Sequence, residues 1–109
     1  MLDPLGYPPE RAGGERIRLK PPDPLAFETH LAFRAQLDQA APVLRRGATL
    51  WIDLRDVRCI DSAGLGMLLL ARDMAARAGC PTILGDASGD VAAMLRLARF
   101  DALFGTAAW

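Results

Sequence analysis

Hydrophobic and polar residues change their spacing several times along the chain, and each change predicts a new element. Glu15 to Lys20 alternates, with Ile17 and Leu19 set between Arg16, Arg18 and Lys20. That period of two suits a short, half-exposed edge strand. From Ala26 to Ala41 the apolar positions Phe27, Leu31, Phe33, Ala35, Leu37 and Ala40 approximate one helical face, with Glu28, Arg34, Gln36, Asp38 and Gln39 on the wet side. Pro42 lacks the amide a helix needs, so it ends or kinks this pattern and leaves a further turn over Val43 to Arg46, closed by Gly47. Thr49 to Leu54 is a nearly continuous apolar run interrupted by Asp53, which predicts a strand covered on both faces within a parallel sheet. After the polar bend Arg55 to Arg58, Ala63 to Ala78 reads as a helix stopped by Gly79, with Pro81 two residues on. Thr82 to Leu84 predicts a short strand. Asp90 to Arg99 predicts a third helix with Val91, Met94, Leu95 and Ala98 on one stripe, after which Phe100, Leu103 and Phe104 cap the core. Strands alternating with helices imply right-handed crossovers and an α/β domain.

Six of the eight prolines fall in the first 24 residues, together with Gly6, Gly13 and Gly14. Each proline fixes φ and removes a donor, so residues 1–14 are expected to form a flexible arm ahead of one domain over 15–109. A chain of 109 residues, 51% hydrophobic, is long enough to bury a core without disulfides or metal. Thirteen basic residues balance thirteen acidic ones, and no basic run offers a footprint for nucleic acid or an anionic membrane. The start has no signal-peptide pattern, and the longest apolar stretch, Leu65 to Ala71, is too short to span a bilayer. A cytoplasmic protein without direct membrane insertion is expected. Cys59 and Cys80 are too far apart for a CxxC motif, and His30 has no companion at metal-ligand spacing. Buried reduced thiols, no metal, no cofactor and a non-enzymatic role follow as expectations.

The segment Cys59-Ile60-Asp61-Ser62-Ala63-Gly64-Leu65-Gly66 leads from a loop into the central helix. Two glycines in a first turn cost up to roughly 1 kcal/mol each relative to alanine, so something should offset them. Close approach of a neighbouring loop, tight packing on the sheet or docking by a partner protein would each do so. Ser62 and Asp61 both suit the N-cap, and with Leu65 rather than Glu or Gln three residues after Ser62 the capping box is absent. One of the two side chains is therefore spare. A hydroxyl at a helix N-terminus is also a good place for a phosphate, because free amides and the positive dipole end stabilise the added charge. On a helical wheel Ala63, Met67, Ala71, Met74, Ala75 and Ala78 share the expected core face. Leu65 and Leu69 fall beside Arg72 and Asp73, as a docking pair would, although a covering loop or the N-terminal arm would explain them as well.

Trp51-Ile52-Asp53-Leu54, the run Ile60-Asp61-Ser62-Ala63-Gly64-Leu65-Gly66-Met67-Leu68-Leu69-Leu70, Arg77-Ala78-Gly79 and the stretch Met94 to Phe104 resemble the STAS domain of bacterial anti-sigma factor antagonists. The resemblance covers roughly Ala26 to Gly105 and is most specific over Asp61 to Gly66. It implies a STAS-like mixed, mostly parallel sheet with helices packed on it, and a partner-switching role. In that role the unphosphorylated antagonist binds a serine protein kinase that doubles as an anti-sigma factor, the kinase phosphorylates the serine after the motif aspartate, and a PP2C-type phosphatase restores it. Carried over, Ser62 is the phosphoacceptor; with the helix end and the Leu65 and Leu69 pair read as a dock, Asp61, Ala63, Gly64, Leu65, Gly66 and Leu69 are the expected partner surface. Ala63 replaces the second hydroxyl the family often carries, and the family's N-terminal hairpin is hard to find among these prolines. A missing or displaced first strand would expose a sheet edge for homodimerisation. Two other functions compete. A STAS subunit of a membrane lipid transporter would dock its ATPase through the same helix end with the serine unmodified. A nucleotide-binding or hydrolytic domain could use the amides of Ala63 to Gly66, but the chain has no P-loop Gly-Lys-Ser/Thr and no evident general base.

Overall fold

A computed structural model describes residues 15–109; the arm expected over 1–14 lies outside the described residues. The strands β1 (Glu15–Leu19), β2 (Ala48–Asp53), β3 (Thr82–Gly85) and β4 (Gly105–Ala107) form one sheet in the order β1-β2-β3-β4. Helices α1 (His30–Ala40), α2 (Ser62–Arg77) and α3 (Gly89–Leu97) fill the three crossovers. Every strand pairing among the described residues is parallel, where a mixed sheet was expected. The reason is local: each pair of neighbouring strands is joined through a helix, which returns the chain to start its next strand in the same direction. The first strand is present and occupies one edge, as the Glu15–Lys20 alternation predicts; a hairpin partner for it would fall in residues 1–14, outside the described residues.

Register sorts the sheet into two faces. Ile17 lies beside Leu50, and Leu19 beside Ile52 and Leu84, so these side chains share one face. They join Phe33 and Leu37 of α1, Leu68, Ala71 and Ala75 of α2, and Val91 and Leu95 of α3 in a single core. On the other face Thr49, Asp53 and Ile83 are buried, while Trp51 is half-buried with the Arg16 guanidinium 4.3 Å from its ring centre. The coverage predicted for both faces of β2 is thus complete except at this tryptophan. Asp53, the polar break in the strand, is buried with Oδ1 accepting from the Arg55 amide at 2.9 Å.

Several expected core positions turn outward. Phe27 and Leu31 are 70% and 72% exposed, because α1 packs through Phe33, Leu37 and Ala40. Leu31 precedes Phe33 by two residues, about 200° around the helix, and so points away from the sheet. In α2 the buried stripe is Gly64, Leu68, Ala71 and Ala75; Ala63, Met67, Met74 and Ala78 flank it half-buried. Met94 and Leu103 are exposed, leaving Phe100 and Phe104, stacked at 5.2 Å, to close the core. Of the two thiols only Cys80 is buried; Cys59 is exposed on the loop before α2. Gly79 ends α2 at φ +74°, a backbone conformation that side chains resist, as its stop signal predicts. No helix among the described residues is long and apolar enough to cross a membrane.

Candidate functional site

The loop after β2 runs back across the end of the sheet before entering α2, and Leu25 holds it there. The Leu25 amide donates to the Cys59 carbonyl at 3.0 Å, and the Asp61 amide donates to the Leu25 carbonyl at 3.4 Å. Just beyond, Thr29 ties the entry to α1: its hydroxyl donates to the Pro24 carbonyl at 2.6 Å and accepts from the Ala26 amide at 3.1 Å. The two helix entries meet at Asp61. Its backbone is extended (φ −116°, ψ −174°), as an N-cap requires, and Oδ1 accepts from the Gly64 amide at 2.9 Å. Oδ2 accepts from the Phe27 amide at 3.2 Å, across to the turn that leads into α1.

Asp61 is therefore the cap, and Ser62 is the spare side chain. Ser62 is the first residue of α2; it is exposed, and its hydroxyl makes no hydrogen bond to a described residue. The two amides, Gly64 first and then Phe27, hold the Asp61 carboxyl below its ordinary pKa of 3.8. A carboxylate whose folded pKa is depressed stabilises fully above pH 3.8, and that stabilisation is lost as pH falls through the lower folded value. Hydrogen-exchange protection of the Gly64 and Phe27 amides should accordingly persist at pH 4 and fall below it. Asp61→Ala should remove protection at both amides at neutral pH and lower the melting temperature, and protection unchanged at Phe27 would refute the link between the helices.

The two glycines have different surroundings. A Cβ on Gly64 would stand 2.0 Å from the Leu25 carbonyl oxygen and 2.8 Å from Ile60 Cγ1, so the close approach of the helix to the Leu25 backbone requires a glycine at this position. Gly64, expected at the partner surface, is buried within the chain. A Cβ on Gly66 would meet nothing within 4 Å, and nothing in the described chain offsets its cost to the helix. Of the other expected surface residues, Leu69 is 41% exposed, while Ala63 and Leu65 are half-buried, Leu65 against the core.

Sequence reasoning missed Phe27 and Leu31 as surface residues. Phe27 stacks on His30 with ring centres 5.1 Å apart, and its amide is the one held by Asp61. An open groove of about 580 Å³ runs alongside, lined by Asp23, Glu28, Arg58, Cys59 and Asp61 among others. Asp23 Oδ1 accepts from the Arg58 amide at 2.9 Å, and this bond, ahead of the Arg58 charge, lowers its pKa. The signal was the phase itself: an apolar i, i+4 pair opposite a complete Phe33–Leu37–Ala40 stripe is a surface pair.

The architecture is a parallel α/β sheet with an aspartate-capped helix that presents an exposed serine at its first position. The family model described as "Mlab, STAS domain" matches residues 14–105, and the chain belongs to the STAS-domain family. A STAS-domain containing protein of Pseudomonas aeruginosa is 32% identical over 93 residues, covering 85% of this chain and 89% of the relative. Among solved structures, a Thermotoga maritima protein proposed to be an anti-sigma factor antagonist superposes with a TM-score of 0.73 at 22% identity, covering 84% of this chain and 78% of its own. The anti-sigma factor antagonist SpoIIAA, in its unphosphorylated form, superposes with a TM-score of 0.59 at 20% identity, over 79% and 74% of the two chains. At these identities the structures establish a shared fold.

Proposed function

We propose that the chain is a partner-switching regulator of the anti-sigma factor antagonist type, a binding protein rather than a catalyst. In its unphosphorylated state it docks a serine kinase that doubles as an anti-sigma factor, through Asp61, Ser62, Gly66 and Leu69 with Phe27 and Leu31 beside them. The kinase transfers the γ-phosphoryl group of ATP to Ser62 Oγ: the new O–P bond forms as the bond to ADP breaks, and the hydroxyl proton leaves to solvent. A PP2C-type phosphatase hydrolyses the ester with water, returning the hydroxyl and releasing inorganic phosphate. The identities of the two fold neighbours, one a candidate antagonist and one an antagonist, support this reading.

The single observation that carries it is the division of labour between neighbours: Asp61 caps α2, which leaves the exposed Ser62 hydroxyl without a structural task. A phosphate there breaks no contact of the fold, and the α2 amides and dipole stabilise its charge in the free protein. Phosphopeptide mass spectrometry of the protein purified from its own cells tests the reading. Phosphate on Ser62, removed by a PP2C-type phosphatase, is the expected result. An unmodified Ser62 whose aspartate substitution leaves partner affinity unchanged would overturn the switch and leave an unregulated dock, the arrangement of a transporter subunit on its ATPase.

A further inference from the structure

The face of the sheet turned away from the helices carries a tryptophan and an isoleucine that stand apart from the core. Right-handed crossovers between successive neighbouring strands put α1, α2 and α3 on one side, where all three pack over Leu50, Ile52 and Leu84. On the other side Arg18, Trp51, Ile83 and Gly105 form one row across the four strands. Trp51 is half-buried and Ile83 only 7% exposed, yet neither belongs to the core under the helices. The Trp51 indole lies against Gly85, where a Cβ would stand 2.6 Å from Nε1, and Gly105 gives Ile83 no side chain for cover on its β4 side. On the β1 side the exposed Arg18 holds its guanidinium 5.6 Å from the Trp51 ring centre, and no carboxylate of the described residues pairs with it. The face is thus an apolar strip with a cationic margin. A chain laid on it cannot join the sheet ladder, so its occupant should be extended, poor in backbone donors and equipped with a carboxylate.

We propose that this face is a binding site for an acidic, proline-rich segment and that residues 1–14 of this chain occupy it, with Pro8 and Pro9 on the Trp51 ring and Glu10 paired with Arg18. Pro4, Pro8 and Pro9 remove amide donors that would otherwise be left unpaired, and they preset the extended conformation that docks on aromatic surfaces. Reach and level agree. Gly14 is bonded to Glu15 at the head of β1, and Gly13 with Gly14 allows the chain to reverse over the sheet. The four residues back to Glu10 span at most about 13 Å, against about 10 Å along β1 from Glu15 to Arg18. Pro8 and Pro9 then come to the level of Trp51, the ladder partner of Arg18. A second copy of the chain fits less well: the face measures roughly 14 Å by 17 Å, far short of the roughly 800 Å² per partner that a stable interface buries. The site is independent of the Ser62 switch and does not rest on it.

NMR of the full chain tests the assignment. Nuclear Overhauser contacts from the Trp51 indole protons to the Pro8 and Pro9 side chains are expected, and an isotope-filtered experiment on mixed labelled and unlabelled protein should place them within one chain. Glu10→Lys should abolish these contacts and shift the Trp51 indole resonance while leaving that of Trp109 unmoved. Arg18→Glu, at an exposed position that does not endanger folding, should abolish them as well. Combining Arg18→Glu with Glu10→Lys restores opposite charges and should bring the contacts back, a rescue that loss of the Arg18 ring contact alone would not allow. Contacts found only between chains would assign the face to a second copy and overturn the proposal. So would Trp51 contacts that include no residue of 1–14, contacts undiminished in Glu10→Lys, or failure of the charge swap to restore them.

Discussion

Ser62→Asp should weaken binding of the kinase partner by at least about 100-fold, the effect of a like-charge and desolvation penalty of a few kcal/mol at an interface. The substitution places a second carboxylate beside Asp61, whose own charge is secured by the Gly64 and Phe27 amides and cannot be relieved by protonation near neutral pH. In the free protein the new charge lies at the positive end of α2 and is exposed, so stability should change by less than about 0.5 kcal/mol. Ser62→Ala should bind constitutively with wild-type affinity, since the hydroxyl has no partner to lose within the fold. Calorimetric titration of the three proteins with the purified kinase, beside their melting curves, separates the outcomes. Loss of affinity with unchanged melting supports a surface switch. Equal affinity for wild type and Ser62→Asp refutes it, and a fall in melting temperature for Ser62→Asp would show that the hydroxyl belongs to the fold after all.

Most elements were legible because their signals were strong and redundant. β2 is a run of apolar residues that no helix period fits, and α2 is bounded by a cap candidate on one side and by Gly79 and Pro81 on the other. β4 was invisible: Gly105, Thr106 and Ala107 carry no apolar pattern, and the strand exists only because its backbone pairs with Ile83 to Gly85. The phase of α2 was misread for the opposite reason. Leu65, Leu68, Leu69 and Leu70 put apolar residues nearly all round its first turns, so a wheel has no unique axis. Contact with Leu25, forty residues earlier in the chain than Leu65, selects the Gly64–Leu68 face, and such a contact has no local signature.

The candidate site was legible in its residue types but not in its assignments. Asp61 and Ser62 are both good N-caps, and the choice between them follows from the extended backbone at Asp61 and from the Phe27 amide, which gives the second carboxylate oxygen a partner that a serine hydroxyl in its place could not match so fully. The same bond brings the Phe27 backbone to the N-terminus of α2, beside Ser62. Prolines 21, 22 and 24 obscured this, since they mark a loop without saying where it lands. It lands on α2: Leu25 is fully buried and pairs with Ile60 in an isolated parallel bridge. The proposed partner surface thus draws on two segments joined through one carboxylate, whereas sequence spacing suggested a single helix end.

Gly64 and Gly66 should separate folding from docking, because they are two residues apart on one helix and differ in what surrounds them. Gly64→Ala must move either α2 or the Leu25 backbone to clear a contact of 2.0 Å with a carbonyl oxygen, and a carbonyl engaged with the Asp61 amide cannot rotate aside freely. A loss of at least about 3 kcal/mol is expected, at the upper end of overpacking penalties, lowering the melting temperature by roughly 10–20 °C. Gly66→Ala adds a methyl group into open space and removes the conformational cost of glycine within the helix. It should raise stability by up to about 1 kcal/mol and the melting temperature by roughly 4–8 °C. A glycine that weakens the helix and packs against nothing in the described chain makes sense when another backbone approaches it, so the stabilised Gly66→Ala protein should bind the kinase at least about tenfold more weakly. If Gly66→Ala is both more stable and fully competent to bind, the dock lies elsewhere, on the Phe27 and Leu31 side of Asp61. If Gly64→Ala melts like wild type, the Leu25 contact does not position α2, and the placement of Ser62 needs another cause.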